Sequence, residues 1–185
     1  MSNDEHEVIR RAKEGDVAAF ARIYDRHYND VYTYVYYRVS EVQLAEDIAG
    51  EVFLRLVERI DGYHYRGRPI LAWLYTIARN LVTDHQRKQA RARSLPLAEE
   101  PVSRGESPPD WVDRRLTGDC LARSLRHLTE DQQQVILHKF VEGRSNAETA
   151  NLIGKTEGAV KSLQHRALAA LHRAVLKERC YEPEV

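Results

Sequence analysis

The sequence predicts an all-α protein in which two small helical domains are joined by a flexible, proline-rich linker. Three observations lead to this fold class. Residues 5–93 have few glycines and prolines, and their apolar residues recur at helical spacing. Residues 94–112 contain four prolines, are acidic and show no periodicity, as expected of a linker. Residues 113–185 return to helical spacing, so the predicted domains are 1–93 and 113–185.

Successive helices are predicted in the N-terminal domain. One carries an apolar stripe formed by Phe20, Ile23, Tyr24, Tyr28, Val31 and Val35. Another is expected from about Leu44 to Ile60. A long helix then begins at Pro69, because proline suits the first turn of a helix, and it continues to about Arg91.

Charge is segregated along the chain although the formal net charge is zero. Residues 1–62 carry 8 Lys and Arg against 13 Asp and Glu, whereas residues 63–93 carry 7 against 1. The linker region, residues 94–113, is acidic again, and residues 114–185 carry a net charge of +3. A uniformly basic nucleic-acid binder would not show this pattern. It predicts an acidic surface for one partner and basic surfaces for another.

The long helix and the loop at residues 61–68 combine cations with aromatic residues. The cations near the helix end are Arg87, Lys88, Arg91 and Arg93, and they can neutralise phosphates. Trp73 lies on the polar side, where it could stack an unpaired base, which is worth about 1–3 kcal/mol. Asn80 has the paired donor and acceptor that read a base edge. The alternative for Trp73 is an ordinary core tryptophan on a solvated helix.

Two helices near the C-terminus have the spacing of a helix-turn-helix. Ser145 and Glu148 form an S-x-x-E capping box, and Thr156 can cap the second helix. Gly154 supplies a turn residue that tolerates positive φ. In the second helix the inward face consists of Val160, Leu163, Ala167, Leu171 and Ala174, and the outward face of Lys161, Ser162, His165, Arg166 and Ala169. This small, cationic outward face predicts entry into the DNA major groove, against the alternative of an ordinary amphipathic surface helix.

Other classes of function have little support in the sequence. The eight histidines show no H-E-x-x-H pair, and no serine elbow, phosphate-binding glycine loop or cysteine pair is present. We therefore expect no enzyme, no metal and no cofactor. The polar N-terminus and the lack of a membrane-length apolar run predict a cytoplasmic protein. Cys120 and Cys180 are expected to be free thiols.

Three segments in this order resemble the extracytoplasmic-function group of bacterial RNA polymerase sigma factors. Residues 45–56, A-E-D-I-A-G-E-V-F-L-R-L, look like the family's core-polymerase-binding helix. Residues 69–91, with A-W-L-Y-T-I-A-R-N at 72–80, look like its promoter-melting helix. Residues 128–135, L-T-E-D-Q-Q-Q-V, and the helix-turn-helix look like its C-terminal domain, with Thr129 and Gln132 as a capping box. The linker stands where the larger family has an intermediate domain.

The resemblance implies three sets of contact residues. The implied core-binding residues, which would dock on the clamp helices of the largest polymerase subunit, are Glu46, Asp47, Ile48, Glu51, Val52 and Phe53. The implied residues for the minus-ten element are Tyr65, Arg66, Trp73, Thr76, Arg79, Asn80, Asp84, Arg87, Lys88 and Arg91. The implied residues for the minus-thirty-five element are Ser145, Thr156, Glu157, Lys161, Ser162, His165 and Arg166.

The resemblance thus implies a sigma factor whose partners are core RNA polymerase, including its flap, and promoter DNA. An anti-sigma factor is left open as a further partner, and no membrane is expected. The alternative is a stand-alone helix-turn-helix regulator, whose N-terminal domain would need a ligand pocket. Two residues depart from the family pattern. Gly50 replaces a glutamine or glutamate that is common in the core-binding helix, and glycine there costs about 1 kcal/mol of helix propensity. Leu163-Gln164 replaces an Arg-Leu pair that is frequent in the recognition helix.

Overall fold

The computed structural model describes residues 3–93 and 112–178, and within these ranges the chain is helical with no strand. The helices are α1 (Asn3–Lys13), α2 (Val17–Val39), α3 (Val42–Arg59), α4 (Ile70–Arg93), α5 (Val112–Leu125), α6 (Glu130–Ile136), α7 (Asn146–Ile153) and α8 (Glu157–Lys177). The predicted all-α class is confirmed. Apart from residue 112, where α5 begins, the predicted linker lies outside the described residues.

Local sequence signals set the ends of several helices. The capping boxes at Thr129 and Ser145 are both formed, and the side chain of Thr156 accepts a hydrogen bond from the Ala159 amide, as predicted. Gly154 ends α7 with a φ of 69°, the left-handed conformation that glycine adopts at no steric cost. Pro69 stands directly before α4, and its carbonyl accepts the Ala72 amide at 3.0 Å.

The N-terminal unit is built around α2, α3 and α4, with α1 packed on α2. Its largest fully buried side chains are Val31, Tyr34, Val35, Val52, Leu56, Ile70, Leu74 and Val82. The stripe predicted on α2 is confirmed at Ile23, Val31 and Val35, which are buried. Tyr24 is exposed and forms part of a row of aromatic rings with Tyr28.

The C-terminal unit contains α5 to α8 and a short π-helical turn at Leu137–Val141. On α8, Val160, Leu163, Ala167 and Ala174 are buried and Leu171 is half-buried, which confirms the predicted inward face. Cys120 in α5 is disulfide-bonded, so the expected free thiol is wrong at this position. Cys180 lies outside the described residues.

The two units pack against each other along a surface that we call the seam, where α2 meets α5 and α4 meets α7. Buried residues of the C-terminal unit, among them Leu128, Ile136 and Leu152, join the same hydrophobic cluster as the core of α2 to α4. Hydrogen bonds reinforce the seam at its edge. The Tyr36 hydroxyl donates to Asp119 Oδ1 at 3.1 Å, and Arg126 donates to the carbonyl of Val39 at 3.1 Å.

Candidate nucleic-acid and polymerase interfaces

A cavity of about 340 Å³ opens where the loop before α4 meets the first turns of that helix. It is lined by Gly62, Tyr63, His64, Arg66, Arg68, Pro69, Ala72, Trp73 and Thr76. The rings of Tyr63 and Trp73 lie 5.1 Å apart between centroids. Trp73 is half-buried, so one side of its indole packs on the core while the other borders the cavity. Aromatic faces beside guanidinium groups suit a stacked base next to a phosphate.

The phenol of Tyr63 is held in place by its surroundings. Its hydroxyl donates to the carbonyl of Arg68 at 3.3 Å. Burial, together with the negative charge of Glu5, raises the pKa of Tyr63 to about 12. The phenol therefore stays neutral at physiological pH and presents an uncharged aromatic wall to the cavity.

Three residues predicted for the minus-ten element, Arg66, Trp73 and Thr76, meet at this cavity, but Tyr65 does not line it. Tyr65 instead packs edge-to-face on His6, with the ring centroids 5.0 Å apart. The hydroxyl of Thr76 donates to the Ala72 carbonyl at 3.0 Å, so its one proton is already used within the helix.

The sequence pointed to the loop at residues 61–68 as one that could close over an unpaired base, but it did not single out Tyr63, His64 and Arg68 among the site residues. The signal was present, since this loop carries two tyrosines and two of the chain's arginines within a few residues. A loop has no periodicity, however, so the sequence gives no rule for which of these side chains turns inward.

The second half of α4 presents a polar, largely cationic surface. Its exposed predicted residues are Asn80, Asp84, Arg87, Lys88 and Arg91. Asp84 and Arg87 approach to 3.9 Å, a surface pair that contributes little to stability. Arg79 differs from the others, because its guanidinium lies 3.5 Å from Glu130 of the C-terminal unit.

The outward face of α8 matches its prediction closely. Glu157, Lys161, Ser162, His165 and Arg166 are all exposed. The Ser162 hydroxyl donates to the Gly158 carbonyl at 3.1 Å, and Arg166 Nε donates to the Ser162 carbonyl at 3.4 Å. This face is therefore available to a ligand without any movement of the C-terminal unit.

Ser145 and Thr156 have a different position from the other predicted minus-thirty-five residues. Their hydroxyl oxygens accept the amides of Glu148 and Ala159 at 3.1 and 3.2 Å. They therefore cap α7 and α8, and each keeps only its O–H as a donor for a DNA phosphate.

The α3 surface corrects part of the core-binding prediction. Ile48, Val52 and Phe53 are buried, so they cannot contact a polymerase while α3 is packed in this way. Phe53 instead contacts the rings of Tyr24 and Tyr28, at centroid distances of 4.8 and 6.1 Å. These three side chains hold the helix that presents the acidic residues.

The exposed face of α3 combines carboxylates with apolar side chains. Glu46 and Asp47 are exposed, and Glu51 is half-buried and paired with Arg55 at 2.9 Å. Leu54 and Val57 are 53% and 51% exposed, and sequence reasoning missed them. The sequence did carry a signal for them. Besides the stripe that faces the core, α3 has further apolar residues, Leu54 and Val57, so its apolar surface is wider than packing on one core requires.

Residues 3–93 and 112–178 contain neither a metal-ion site nor a helix suited to spanning a membrane. No group of three or more His, Cys, Asp and Glu side chains in this part of the chain is placed to hold a metal ion. Within the same residues, none of the helices combines the length and the hydropathy that a membrane span requires.

Two family models match this chain in the order of its two helical units. Sigma-70 region 2 matches residues 23–92, which include α3 and the cavity before α4. Sigma-70 region 4 matches residues 118–171, which include the helix-turn-helix.

Curated relatives extend the match to most of the chain. The extracytoplasmic-function (ECF) RNA polymerase sigma factor BldN of Streptomyces coelicolor is 44% identical over 170 residues, which cover 90% of this chain and 64% of BldN. The ECF sigma factor SigL of Mycobacterium tuberculosis is 32% identical over 171 residues, which cover 92% of this chain and 96% of SigL.

A solved structure has the same fold. The sigma factor RpoE of Bartonella quintana, in complex with the anti-sigma factor NepR, gives a TM-score of 0.58 at 22% identity, with 87% of this chain and 98% of that chain covered. The chain belongs to the sigma-70 family of RNA polymerase sigma factors. Within that family, its relatives place it in the extracytoplasmic-function group.

Proposed function

We propose that this sigma factor binds core RNA polymerase and directs promoter-specific initiation, using its N-terminal unit to recognise and open the minus-ten element and α8 to recognise the minus-thirty-five element. The observation that carries the proposal is the pairing of two surfaces in the two matched regions. One is the aromatic, arginine-lined cavity before α4, and the other is the exposed cationic face of α8.

In the minus-ten step, a base leaves the duplex and enters the cavity. Extruding a base costs a few kcal/mol of stacking and pairing. Stacking on an aromatic side chain returns about 1–3 kcal/mol per base. Trp73 and Tyr63 supply the aromatic faces, and Arg66 lies in the same cavity to neutralise a phosphate. The cationic second half of α4 then follows the strand through Arg87, Lys88 and Arg91.

In the minus-thirty-five step, α8 enters the major groove with its outward face toward the base edges. Lys161 and Arg166 supply donors that favour guanine or phosphate, and His165 lies on the same face. The caps of Ser145 and Thr156 fix the two helix N-termini, whose amides carry partial positive charge and favour contact with phosphates.

Binding of core polymerase is assigned to the exposed face of α3. Glu46 and Asp47 provide the charge, and Leu54 and Val57 provide apolar area that is otherwise left in water. In this proposal the face docks on the clamp helices of the largest subunit, and the C-terminal unit contacts the flap. The chain acts in the bacterial cytoplasm and performs no covalent chemistry itself.

An anti-sigma factor is proposed as a further partner. RpoE, which shares the fold of this chain, is in complex with the anti-sigma factor NepR in its solved structure. This supports an equivalent partner here, and an excess of such a partner would compete with core polymerase for the chain.

Run-off transcription with purified core polymerase and genomic DNA fragments tests the proposal. We expect discrete transcripts only when the chain is added, and loss of those transcripts when Lys161, His165 and Arg166 are all replaced by Ala. The matched control replaces the exposed His172, Arg173 and Lys177 of the same helix by Ala, which removes one histidine and two cations outside the predicted face. If both triple variants initiate equally well, α8 does not read the promoter as proposed.

A further inference from the structure

Helix α1 precedes the residues matched by sigma-70 region 2, which begin at residue 23. It nevertheless contacts residues 61–70, the segment that borders the cavity and begins α4, which we call the cavity loop. Three polar side chains of α1 meet this loop at different points, and they are Glu5, His6 and Lys13. The cavity loop is therefore held by a helix that lies outside the matched region.

Glu5 acts at the end of the cavity loop. Its Oε1 accepts the amide of Ile70, the first residue of α4, at 3.1 Å. The first amides of a helix have no acceptor within the helix, and Pro69 before Ile70 has no side chain that can cap. Glu5 therefore supplies from another helix the cap that the sequence before α4 lacks. Its negative charge also suits the positive end of the α4 dipole.

Lys13 acts at the start of the cavity loop. Its Nζ donates to the carbonyl of Tyr63 at 2.6 Å and to that of Asp61 at 3.4 Å. The two carbonyls lie in and directly after the short 3-10 turn Ile60–Gly62, and the end of a helix attracts cations. Lys13 thus fixes the backbone of Tyr63, whose ring is part of the aromatic wall of the cavity.

His6 touches the cavity loop between these two points. Its ring packs edge-to-face on that of Tyr65, with the centroids 5.0 Å apart. Glu5 and Lys13 are eight residues apart in sequence, so they lie on the same side of α1 and about 12 Å apart along its axis. One side of α1 therefore holds both ends of the cavity loop.

Other contacts fix α1 itself to the core. Its buried residues are Val8, Ile9 and Ala12, which belong to the hydrophobic cluster of the protein. Asp4 pairs with Arg22 and with Arg26 of α2, each at 2.9 Å. Because these contacts do not involve the cavity loop, α1 can keep its place when its contacts with the loop are removed.

We propose that α1 is a brace for the cavity loop, in which Glu5 and Lys13 are positioning residues that hold Tyr63 and the start of α4 where an extruded base stacks. Neither residue lines the cavity, and both act on backbone atoms of the loop. A displacement of about 1 Å from the productive geometry can cost about 100-fold in rate. The effect on DNA rests on the proposed function, whereas the contacts between α1 and the loop do not.

Three double variants test the brace. The brace variant combines Glu5→Ala with Lys13→Ala and removes both polar contacts. The matched control combines Glu7→Ala with Arg10→Ala, two exposed residues of α1 that pair with each other at 2.7 Å. Both variants remove one acidic and one basic side chain, so formal charge and helix propensity change alike. The conservative variant, Glu5→Gln with Lys13→Arg, keeps an acceptor for the Ile70 amide and a donor for the loop carbonyls.

Amide hydrogen exchange of the free chain, followed by NMR, gives the first measurement. The amides of Tyr63 and Ile70 are both hydrogen-bonded in the loop. We expect them to exchange about tenfold faster in the brace variant, because hydrogen bonds to charged groups are lost, while the amides of α3 are unchanged. The control and the conservative variant should resemble the wild type. Unchanged exchange of both amides in the brace variant overturns the proposal. If the double variant loosens α3 as well, Lys13→Ala alone is judged by the same criterion.

Initiation by the holoenzyme gives the second measurement and separates positioning from stability. Open-complex formation is timed on a promoter found by run-off transcription and on copies with one substitution in the minus-ten or the minus-thirty-five element. The brace variant should lose about tenfold of its discrimination against minus-ten substitutions and keep its discrimination at the minus-thirty-five element. The conservative variant should restore the loss. A chain that is only less folded lowers every rate by one factor and leaves both ratios unchanged, and that result would overturn the brace.

Failure of the proposed function gives a different result. In that case the wild-type holoenzyme itself does not discriminate against minus-ten substitutions, and the positioning of a base by α1 is overturned with it. The exchange of the Tyr63 and Ile70 amides then still shows whether α1 holds the loop. If the wild type does discriminate and the brace variant discriminates equally well, the proposed function stands and the brace alone is wrong.

Discussion

The two surfaces that we propose to read DNA in this sigma factor are built in opposite ways. On α8, the side chains that hold the helix in place and those that face solvent are separate residues, because helical periodicity assigns each to one side. At the cavity before α4, Tyr63 is buried and Trp73 is half-buried, so the two aromatic residues of its wall also belong to the core. The outward face of α8 can therefore change its contacts without a change of fold, whereas the aromatic wall of the cavity cannot.

The largest expected effect is on α8, where function should be lost while stability is kept. Replacing Lys161, His165 and Arg166 by Ala should reduce initiation at a cognate promoter at least about 100-fold, since each base contact is worth about 1–3 kcal/mol. Because all three side chains are exposed, the free energy of unfolding should change by less than about 0.5 kcal/mol. Run-off transcription and a urea melt, measured on the same preparation, check both expectations.

The cavity should show the opposite behaviour. Trp73→Ala should lower the free energy of unfolding by about 3 kcal/mol, because a large ring is removed from the edge of the core. It should also slow the formation of the open complex on a duplex promoter. The effect should be smaller on a template with a pre-opened bubble, because the bases there are already unpaired. Asn80→Ala is the control, because Asn80 is exposed on the same helix and its loss should slow opening alone. Permanganate footprints should show slower opening for both variants, and thermal melts should show a loss of stability for Trp73→Ala alone. Equal melting temperatures for the two variants would contradict the assignment of Trp73 to both the cavity and the core.

The N-terminal unit should also be the more acid-sensitive region, through His27. Burial, with the nearby charges of Arg26 and Arg144, lowers the pKa of His27 to about 4. The unfolded chain therefore binds the proton first as pH falls below about 6.5, and stability decreases with decreasing pH. We expect a loss of about 2 kcal/mol between about pH 7 and pH 5.

Urea melts at several pH values check this expectation. In the variant His27→Gln the decrease over this pH range should be much smaller, because glutamine does not titrate. An identical decrease in the variant would show that another group controls the acid sensitivity.

The smallest effect is expected on α3. Gly50 is exposed within the helix, and a Cβ built there meets no atom within 4 Å. Gly50→Ala should therefore raise the free energy of unfolding by about 0.5–1 kcal/mol through helix propensity. The affinity of the same variant for core polymerase shows whether this face of α3 is in contact with the polymerase. A stabilised variant that binds core less well would place the polymerase directly against this part of α3.

The sequence was sufficient to predict what depends on neighbouring residues. The capping boxes at Thr129 and Ser145, the left-handed turn at Gly154 and the inward face of α8 all follow from spacings of three or four residues. The same local rules failed on α3, because the apolar stripe there was assigned to a partner when it is buried in the core of the protein. Periodicity finds an apolar face but does not say what covers it.

Contacts between distant residues could not be predicted. Arg68 meets the end of α7 across 84 positions of sequence, and Tyr75 meets Glu142 across 67. Neither pair has a local signature, since each depends on how two helical units come together. The disulfide at Cys120 is a similar case, because the spacing of the cysteines gave no reason to expect it.

The position of Trp73 also allows its intrinsic fluorescence to report on the cavity. The chain has two tryptophans, and replacing Trp111 by Phe would leave the indole at the cavity wall as the single emitter. Tyr63, with its ring 5.1 Å away, would transfer excitation to it. A base that stacks on the indole would quench this emission, so stopped-flow fluorescence could time the arrival of the extruded base without any attached dye.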